Sequence, residues 1–445
     1  MAYYLMQPAI YLTLSSHYKK AMRKFLICCW FTASMFSTMQ LLAINNPQFP
    51  LKISKNKKYL TDQRGLPFLM NADTGWLLLQ KLSTDDIKIY FSKRKSQTFN
   101  TVLIQLLPPL PTGQNFYGQP PFSIPNDFST PNEVYFNHVA AVLAEAQKFD
   151  ILVAINPVWL GDISGGWANV QVQNGDSVCN AYGQFLGERF KKFDNILWIM
   201  GGDSDAPHDQ NVIRVMANGI KSSADHQLIT YLGARFNPNN DVIKQIPWLD
   251  FRTTQAQFNL PQMSEMSQTS YHNPKAFVVC KTKYESTETA QSTRQYAYQA
   301  MLTGGSGQCY VSKNWKFDKN WLSICDLPGA QQMKLFYKFM VHLPWEHFVP
   351  DTQKQFIPDS PAADQILAAS LSNRRLMVAY IPESRPLQID FSKFKGNRLR
   401  VSWLSPRTGK KWVTAHHAPK DGIRQVKPPT VDEDWLLVIG NVAKD

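Results

Sequence analysis

Asn195-Ile-Leu-Trp-Ile-Met-Gly-Gly-Asp-Ser-Asp205 is the stretch whose reading decides the fold. Ile196 to Ile199 are four consecutive apolar residues, too few for a helix and bounded by polar signals. A strand buried on both faces of a parallel sheet reads this way. Gly201 and Gly202 remove side chains where the strand ends, so the backbone can turn sharply and a neighbour can come close. Asp203 then falls just past the C-terminal end of the strand, the end that carries the active site in a (β/α)8 barrel. The plainer alternative is an Asp that caps the next helix or closes a turn.

Working outward, apolar strand-like runs alternate with amphipathic helical stretches from Lys58 onward, the pattern of a parallel α/β domain. The runs centre on 67–71, 101–106, 151–155, 196–200, 228–231, 250–253, 276–280 and 307–311. Eight such units predict a closed barrel. Between them, Ser83-Thr84-Asp85-Asp86 reads as a helix start, with Ile87, Tyr90 and Phe91 facing inward. Thr130-Pro131-Asn132-Glu133 reads as a capping box with Pro at the first helical position, followed by the stripe Val134, Val139, Val142, Leu143 and Ala146. Val178, Tyr182, Phe185, Leu186 and Phe190 form the stripe that leads into the Asp203 strand.

Residues 349–364 are polar and hold Pro350, Pro358 and Pro361, which marks a linker. Beyond it short strands follow near 376–381, 387–391, 399–404, 411–415, 423–426 and 435–439, with turn residues between them. The fold class expected is therefore a (β/α)8 barrel over 44–348, a linker over 349–364, and a small antiparallel β-sandwich over 365–445.

The net charge of the 445 residues is +13 and the aromatic share 12%. Positive charge favours polyanionic partners, but no basic stripe, zinc-finger spacing or RNA-binding aromatic motif accompanies it, so no nucleic-acid partner is expected. Residues 1–43 hold Lys19, Lys20, Arg23 and Lys24 and no acid, followed by an uncharged run. They have the form of a secretory signal, with an uncleaved N-terminal anchor as the alternative, and export to the periplasm, the surface or the medium of a bacterium is expected. Cys28 and Cys29 fall in that segment. Cys179, Cys280, Cys309 and Cys325 show no metal-ligand spacing. Cys280 and Cys309 fall on neighbouring strands, where a bridge is one reading and buried free thiols the favoured one. No metal, phosphate-loop or serine-nucleophile motif stands out, so no metal or cofactor is expected.

The strand ends collect a compact set: Asp73 and Trp76, Gln105, Trp159 with Trp167 beyond it, Asp203, then Lys281, Tyr284 and Glu285, and finally Tyr310 and Trp315. Two carboxylates across a barrel mouth among tryptophans suit glycoside hydrolysis, one donating a proton to the leaving oxygen and the other attacking or stabilising the sugar centre. Trp faces stack on sugar rings. Asp73 can as well close a turn, Trp76 and Trp159 can be packing, and Glu285 can sit at a helix start for its dipole.

Three segments, running 66–105, 182–205 and 294–310, resemble the apiosidase-like (β/α)8 glycoside hydrolases of bacterial polysaccharide-degrading systems. The segments 403–410 ("WLSPRTGK") and 428–439 ("PPTVDEDWLLVI") are similar to the small β domain attached to them, labelled collagen-binding. The resemblance implies Asp203 as one catalytic carboxylate, a Glu after the seventh strand as the other, and a plant cell-wall or related polysaccharide side chain as substrate. The family's Glu-Pro-x-Tyr-Glu segment reads Lys281-Thr282-Lys283-Tyr284-Glu285 here, so Glu285 is the acid that stays. Leu232 and Phe258 stand where the family tends to have His. The first expectation is a glycosidase using Asp203 and Glu285. The second is a barrel that binds carbohydrate without cleaving it, and a third makes the β domain an adhesion module.

Overall fold

Eight parallel strands form the first layer of the structure, a computed structural model that describes residues 46–110, 113–161, 166–203, 210–233, 248–254, 275–280, 284–285, 289–361, 365–396, 398–418, 421–431 and 433–441. They are Met70–Thr74 (β1), Thr101–Gln105 (β2), Leu152–Asn156 (β3), Ile196–Gly201 (β4), Ile229–Leu232 (β5), Arg252–Thr254 (β6), Phe277–Val279 (β7) and Gly307–Tyr310 (β8). Their order is β5-β4-β3-β2-β1-β8-β7-β6. Strands β5 and β6 close the ring: Asp250 donates its N–H to Ile229 O at 2.9 Å, and Thr253 Oγ1 donates to Tyr231 O at 2.6 Å. The result is the expected (β/α)8 barrel.

Alternation explains why the strand sequences read as unbroken apolar runs. Leu103, Leu152, Ala154, Leu197 and Ile199 fill the barrel interior, while Val102, Ile104, Val153, Ile155, Ile196 and Trp198 pack outward against helices. The helices include Thr84–Ser96 (α1), Glu133–Lys148 (α2), Ala168–Phe190 (α3), Gln210–Lys221 (α4), Ala290–Leu302 (α5) and Pro328–Val341 (α6). Ser83 caps α1 by accepting from Asp86 N, and Ile87, Tyr90 and Phe91 are buried as the spacing predicts. Helix α2 starts later than expected: its cap is Asn132, which accepts from Val134 N, and Val134 itself is exposed.

The first strand is displaced by three residues from the expected 67–71. Pro67 and Phe68 instead bridge to the short Lys52–Ile53/Leu60–Thr61 ladder, through the Thr61–Pro67 bridge and the bond from Phe68 N to Leu60 O. Asp73 therefore lies within β1 rather than beyond it.

The stretch expected to be a linker is instead part of the second fold layer. Phe348–Pro350 (β9) pairs with Leu367–Leu371 (β10), and Phe356 and Ile357 are buried in the core of the β domain. Strands Leu376–Ile381 (β11), Leu387–Asp390 (β12), Leu399–Leu404 (β13), Lys411–Ala418 (β14), Ile423–Val426 (β15) and Trp435–Asn441 (β16) follow. They make a six-stranded sheet, β9-β10-β11-β16-β13-β14, faced by the ribbon β12-β15. In β11, Met377, Ala379 and Ile381 point into the sandwich. Val378 and Tyr380 point the other way, into a layer shared with Tyr298, Met301, Met333 and Phe336 of α5 and α6. Both faces of the sheet are thus covered, one by its own ribbon and one by the barrel's helices.

A polar joint crosses that layer. Arg294 of α5 donates to both oxygens of Asp434, at 2.8 and 2.7 Å, and Tyr380 donates to the same carboxylate at 2.7 Å. Arg407 of the Pro-Arg-Thr-Gly turn pairs with Glu433 at 2.6 Å and lies over the Trp435 ring. Residues 48–445 form one compact unit. No helix among the described residues is long and apolar enough to cross a membrane; the basic and uncharged segment within 1–43 lies outside them.

Candidate active site

The C-terminal ends of the strands are walled by tryptophan. Trp76, Trp159 and Trp315 all pack on the hydrophobic interior of the barrel, and the Trp76 and Trp159 rings lie 4.9 Å apart at 49°. Gln105, at the end of β2 and in phase with the inward Leu103, is buried, and its N–H donates to Trp76 O at 2.9 Å.

Strand β4 brings Asp203 to this rim. Gly201 has φ +99°, and a methyl on it would sit 2.1 Å from Leu232 O. Gly202 donates its N–H to that same oxygen at 2.8 Å. The two glycines therefore let the backbone turn against β5 at van der Waals limits, as the sequence implied, and Asp203 emerges half-buried. Tyr284, just past β7, feels its charge. Burial first, and the Asp203 carboxylate second, push the Tyr284 hydroxyl above the usual tyrosine range.

Asn156 belongs to this mouth, although it is absent from the residues singled out above. It ends β3 in phase with Leu152 and Ala154, and its Nδ2 donates to Ile199 O at 2.7 Å and Gly201 O at 3.0 Å. Its buried Oδ1 has no hydrogen-bond partner among the described residues. The amide so ties β3 to the end of the Asp203 strand. The available signal is a polar residue at the inward phase of an otherwise apolar strand.

Other expected site residues serve the wall. Asp73 is fully buried on the outward face of β1, where Arg94 Nε donates to it at 2.6 Å and Tyr90 donates through its hydroxyl. Arg94 in turn donates to Gln97 and to Cys325 O, at 2.8 and 3.1 Å. This ion pair braces β1 against α1, on the strand face turned away from the barrel interior. Tyr310 is also buried on the outward face, among Phe99, Tyr298 and Met333, which removes it from the sugar-facing set.

Glu285 meets the same fate. Its Oε1 accepts from the N–H of Gly329 in the first turn of α6 at 2.6 Å, and its Oε2 accepts from the Tyr310 hydroxyl. A methyl on Gly329 would lie 2.5 Å from Oε2, so glycine leaves the room this carboxylate fills. Both oxygens are engaged on the helix side of β8, at the positive end of a helix. The dipole-complementing role is the one observed, with α6 rather than the next helix in sequence as the partner.

Trp167 is 3% exposed; its Nε1 donates to Pro108 O at 2.8 Å and its ring packs on Phe122 and Phe128. It lines a cleft of about 410 Å³ with Leu110, Gln114, Phe122 and Asn126, in the segment that follows β2. Leu232, in a position the resemblance gives to His, fills the barrel interior. Lys281 and Phe258 lie outside the described residues. Asp203, Trp76, Trp159, Trp315, Gln105 and Tyr284 remain as the expected residues that line the mouth.

Fold and mouth together define a glycoside-hydrolase-like (β/α)8 protein with a C-terminal β domain. Residues 54–347 match the family model "Apiosidase-like, catalytic domain", and the chain belongs to that family. Residues 349–440 match the model "Putative collagen-binding domain of a collagenase". Among solved structures, a glycoside hydrolase superposes with TM-score 0.76 at 22% identity, over 91% of this chain and 98% of the other. A family 5 glycoside hydrolase from Bacteroides vulgatus gives TM-score 0.78 at 23% identity, over 91% and 95%. At these identities the likeness speaks for the fold. No curated protein matches the chain.

Proposed function

We propose that this protein is an exported glycosidase that takes oligo- or polysaccharide side chains of plant cell-wall or related origin into the tryptophan-walled mouth. Asp203 is the carboxylate that exchanges a proton with the glycosidic oxygen. The observation that carries this reading is the position of Asp203 at the end of β4, half-buried beside Tyr284 on the rim that Trp76 and Trp159 wall. Ring faces take the apolar faces of a sugar, and Gln105 supplies an amide group for its hydroxyls.

A second reading, binding without cleavage, draws support from Glu285. Ordinary hydrolysis needs two carboxyl groups facing each other across the bond, about 5–5.5 Å apart for retention or about 6.5–9.5 Å for inversion. Glu285 has both oxygens engaged in the wall. Hydrolysis therefore requires another acid as the partner of Asp203.

One experiment separates the readings. Product release and affinity are measured on a panel of oligosaccharides for the wild type and for Asp203→Asn. The hydrolase reading expects release that falls at least about 10²-fold in the variant while affinity stays. Tight binding with no product from either protein establishes the second reading. Unchanged release by Asp203→Asn removes Asp203 from the chemistry.

A further inference from the structure

Cys280 and Cys309 are the two thiols that meet inside the barrel. Cys309 Sγ lies 2.8 Å from Cys280 Sγ, inside the contact distance of two unbonded sulfurs. Both side chains are in the barrel interior, at 1% and 0% exposure. Their strands are hydrogen-bonded neighbours in the register Gln308↔Val279, so 309 and 280 are the next pair along. Neighbouring strands run about 4.8 Å apart, within the roughly 4.4–6.8 Å Cα separation that a disulfide spans. The other two described cysteines are occupied elsewhere: Cys179 Sγ meets Gln171 O at 3.3 Å, and Cys325 Sγ accepts from Asn314 Nδ2 at 3.1 Å.

We infer that Cys280 and Cys309 are a disulfide-forming pair that stitches β7 to β8 at the floor of the mouth. The site lies one residue below position 281 and one below Tyr310, and β7 leads directly to Tyr284 and Glu285. The bond holds that rim segment in register with the last strand. The inference goes beyond the sugar-binding reading and does not depend on it.

The reaction is a thiol–disulfide exchange with a small-molecule or protein disulfide. One thiolate attacks the incoming disulfide and releases a first thiol; the second thiolate then attacks the mixed disulfide and releases the other. Two S–H bonds are lost, one S–S bond forms, and the incoming disulfide leaves as two thiols carrying both electrons and both protons. Both sulfurs are closed off from solvent inside the barrel, and burial raises the Cys309 thiol well above its ordinary range, so an outside disulfide does not reach them in the folded state. Closure therefore belongs to folding or to an opened state, and the finished bond is shielded from reductants.

The test uses the full chain, refolded in glutathione buffers stepped from reducing to oxidising, then denatured and alkylated with a maleimide. Peptide mapping should show Cys179 and Cys325 alkylated and the 280 and 309 peptides joined, two hydrogens lighter than the free pair. The joined pair should resist dithiothreitol until denaturant is added. Its melting point should exceed that of the reduced protein by roughly 4 °C. Alkylation of both 280 and 309 in the most oxidising buffer would overturn the inference, as would their pairing with Cys179 or Cys325. A Cys309→Ser chain that still folds should leave Cys280 alkylated; the wild-type map decides the matter if it does not fold.

Discussion

Glu285 is the residue on which a catalytic and an architectural account diverge most sharply. In the structure it accepts from Gly329 N–H and from Tyr310. Replacing it with Ala orphans a buried backbone donor and a buried hydroxyl, at about 1–3 kcal/mol each. It also removes a negative charge from the start of α6, which contributes up to ~2 kcal/mol in a partly buried setting. About 3–5 kcal/mol is therefore at stake. Unfolding entropy near 2.1 cal/mol/K per residue, over a unit of roughly 400 residues, gives roughly 0.8 kcal/mol/K. Glu285→Ala should accordingly melt about 4–6 °C below wild type. Glu285→Gln keeps an acceptor for Gly329 and loses the charge, so a drop of about 1–2 °C is expected. The assay pairs thermal melting with oligosaccharide affinity and product release. The anchoring account expects both variants to lose stability in that order, and the Glu285→Gln protein to keep the wild-type affinity and rate. A Glu285→Gln chain that melts like wild type yet releases no product would refute it and return Glu285 to the chemistry.

Arg294 and Asp434 join the two fold layers, and breaking a buried pair costs about 3–5 kcal/mol. Asp434→Ala should cost more than Arg294→Met, because Asp434 keeps Tyr380 when Arg294 is lost whereas Arg294 keeps only the neutral Gln332. Calorimetry should show one transition moved down, and a wild-type midpoint in both variants would dismiss the joint. Gly201→Ala should destabilise far more than Gly65→Ala: both glycines have positive φ, but a methyl at 65 meets nothing within 4 Å. Equal losses in denaturant melts would mean that the close approach to Leu232 is immaterial. Buried Tyr90, Tyr310 and Tyr380 have hydroxyls pushed well up, by burial first and then by Asp73, Glu285 and Asp434 respectively. A value raised in the folded state above about 10 in the unfolded chain gives stability that is whole below pH ~10 and drains as pH rises further. Denaturant melts should thus be flat from neutral to mildly alkaline pH and fall beyond it. Full tyrosinate absorbance near pH ~10 with the fold intact would contradict this.

The barrel was legible because its strands are buried on both faces, and only such strands produce runs like 101–106 and 196–200. Where a strand's outer face is polar, that signal fails. Strand β1 reads Met-Asn-Ala-Asp-Thr, and its outward polar residues are satisfied by bonds to distant groups: Gln308 to Asn71, and Arg94 to Asp73. Neither partner is adjacent in sequence, so an Asp at a strand end looks the same whether it meets a substrate or a buried arginine. Glu285 has the same ambiguity, with Gly329 far along the chain. Tryptophans 76, 159 and 167 look alike as letters; the indole of Trp167, bonded to Pro108 O, is a contact that only the fold reveals. Asn156 closes the third strand at an inward phase, but a lone amide there does not say which carbonyls it will meet, and Ile199 and Gly201 are distant in sequence.

The coverage of the β domain bears on what it can do. The two matched regions, 54–347 and 349–440, abut at β9, a strand that already belongs to the second sheet. The residues that made 403–410 and 428–439 recognisable are in large part the joint itself: Arg407 pairs with Glu433 and stacks on Trp435, while Asp434 holds Arg294. One face of the six-stranded sheet is occupied by α5 and α6, and the other by β12 and β15. A partner of this domain can therefore reach its edges and loops, not its faces. Cut free of the barrel, the sheet would expose Ala369, Val378, Tyr380 and Leu436 together, an apolar patch of the kind that drives association. In the structure the domain packs on the last two helices of the barrel, and α6, one of them, takes the Glu285 carboxylate at its first turn.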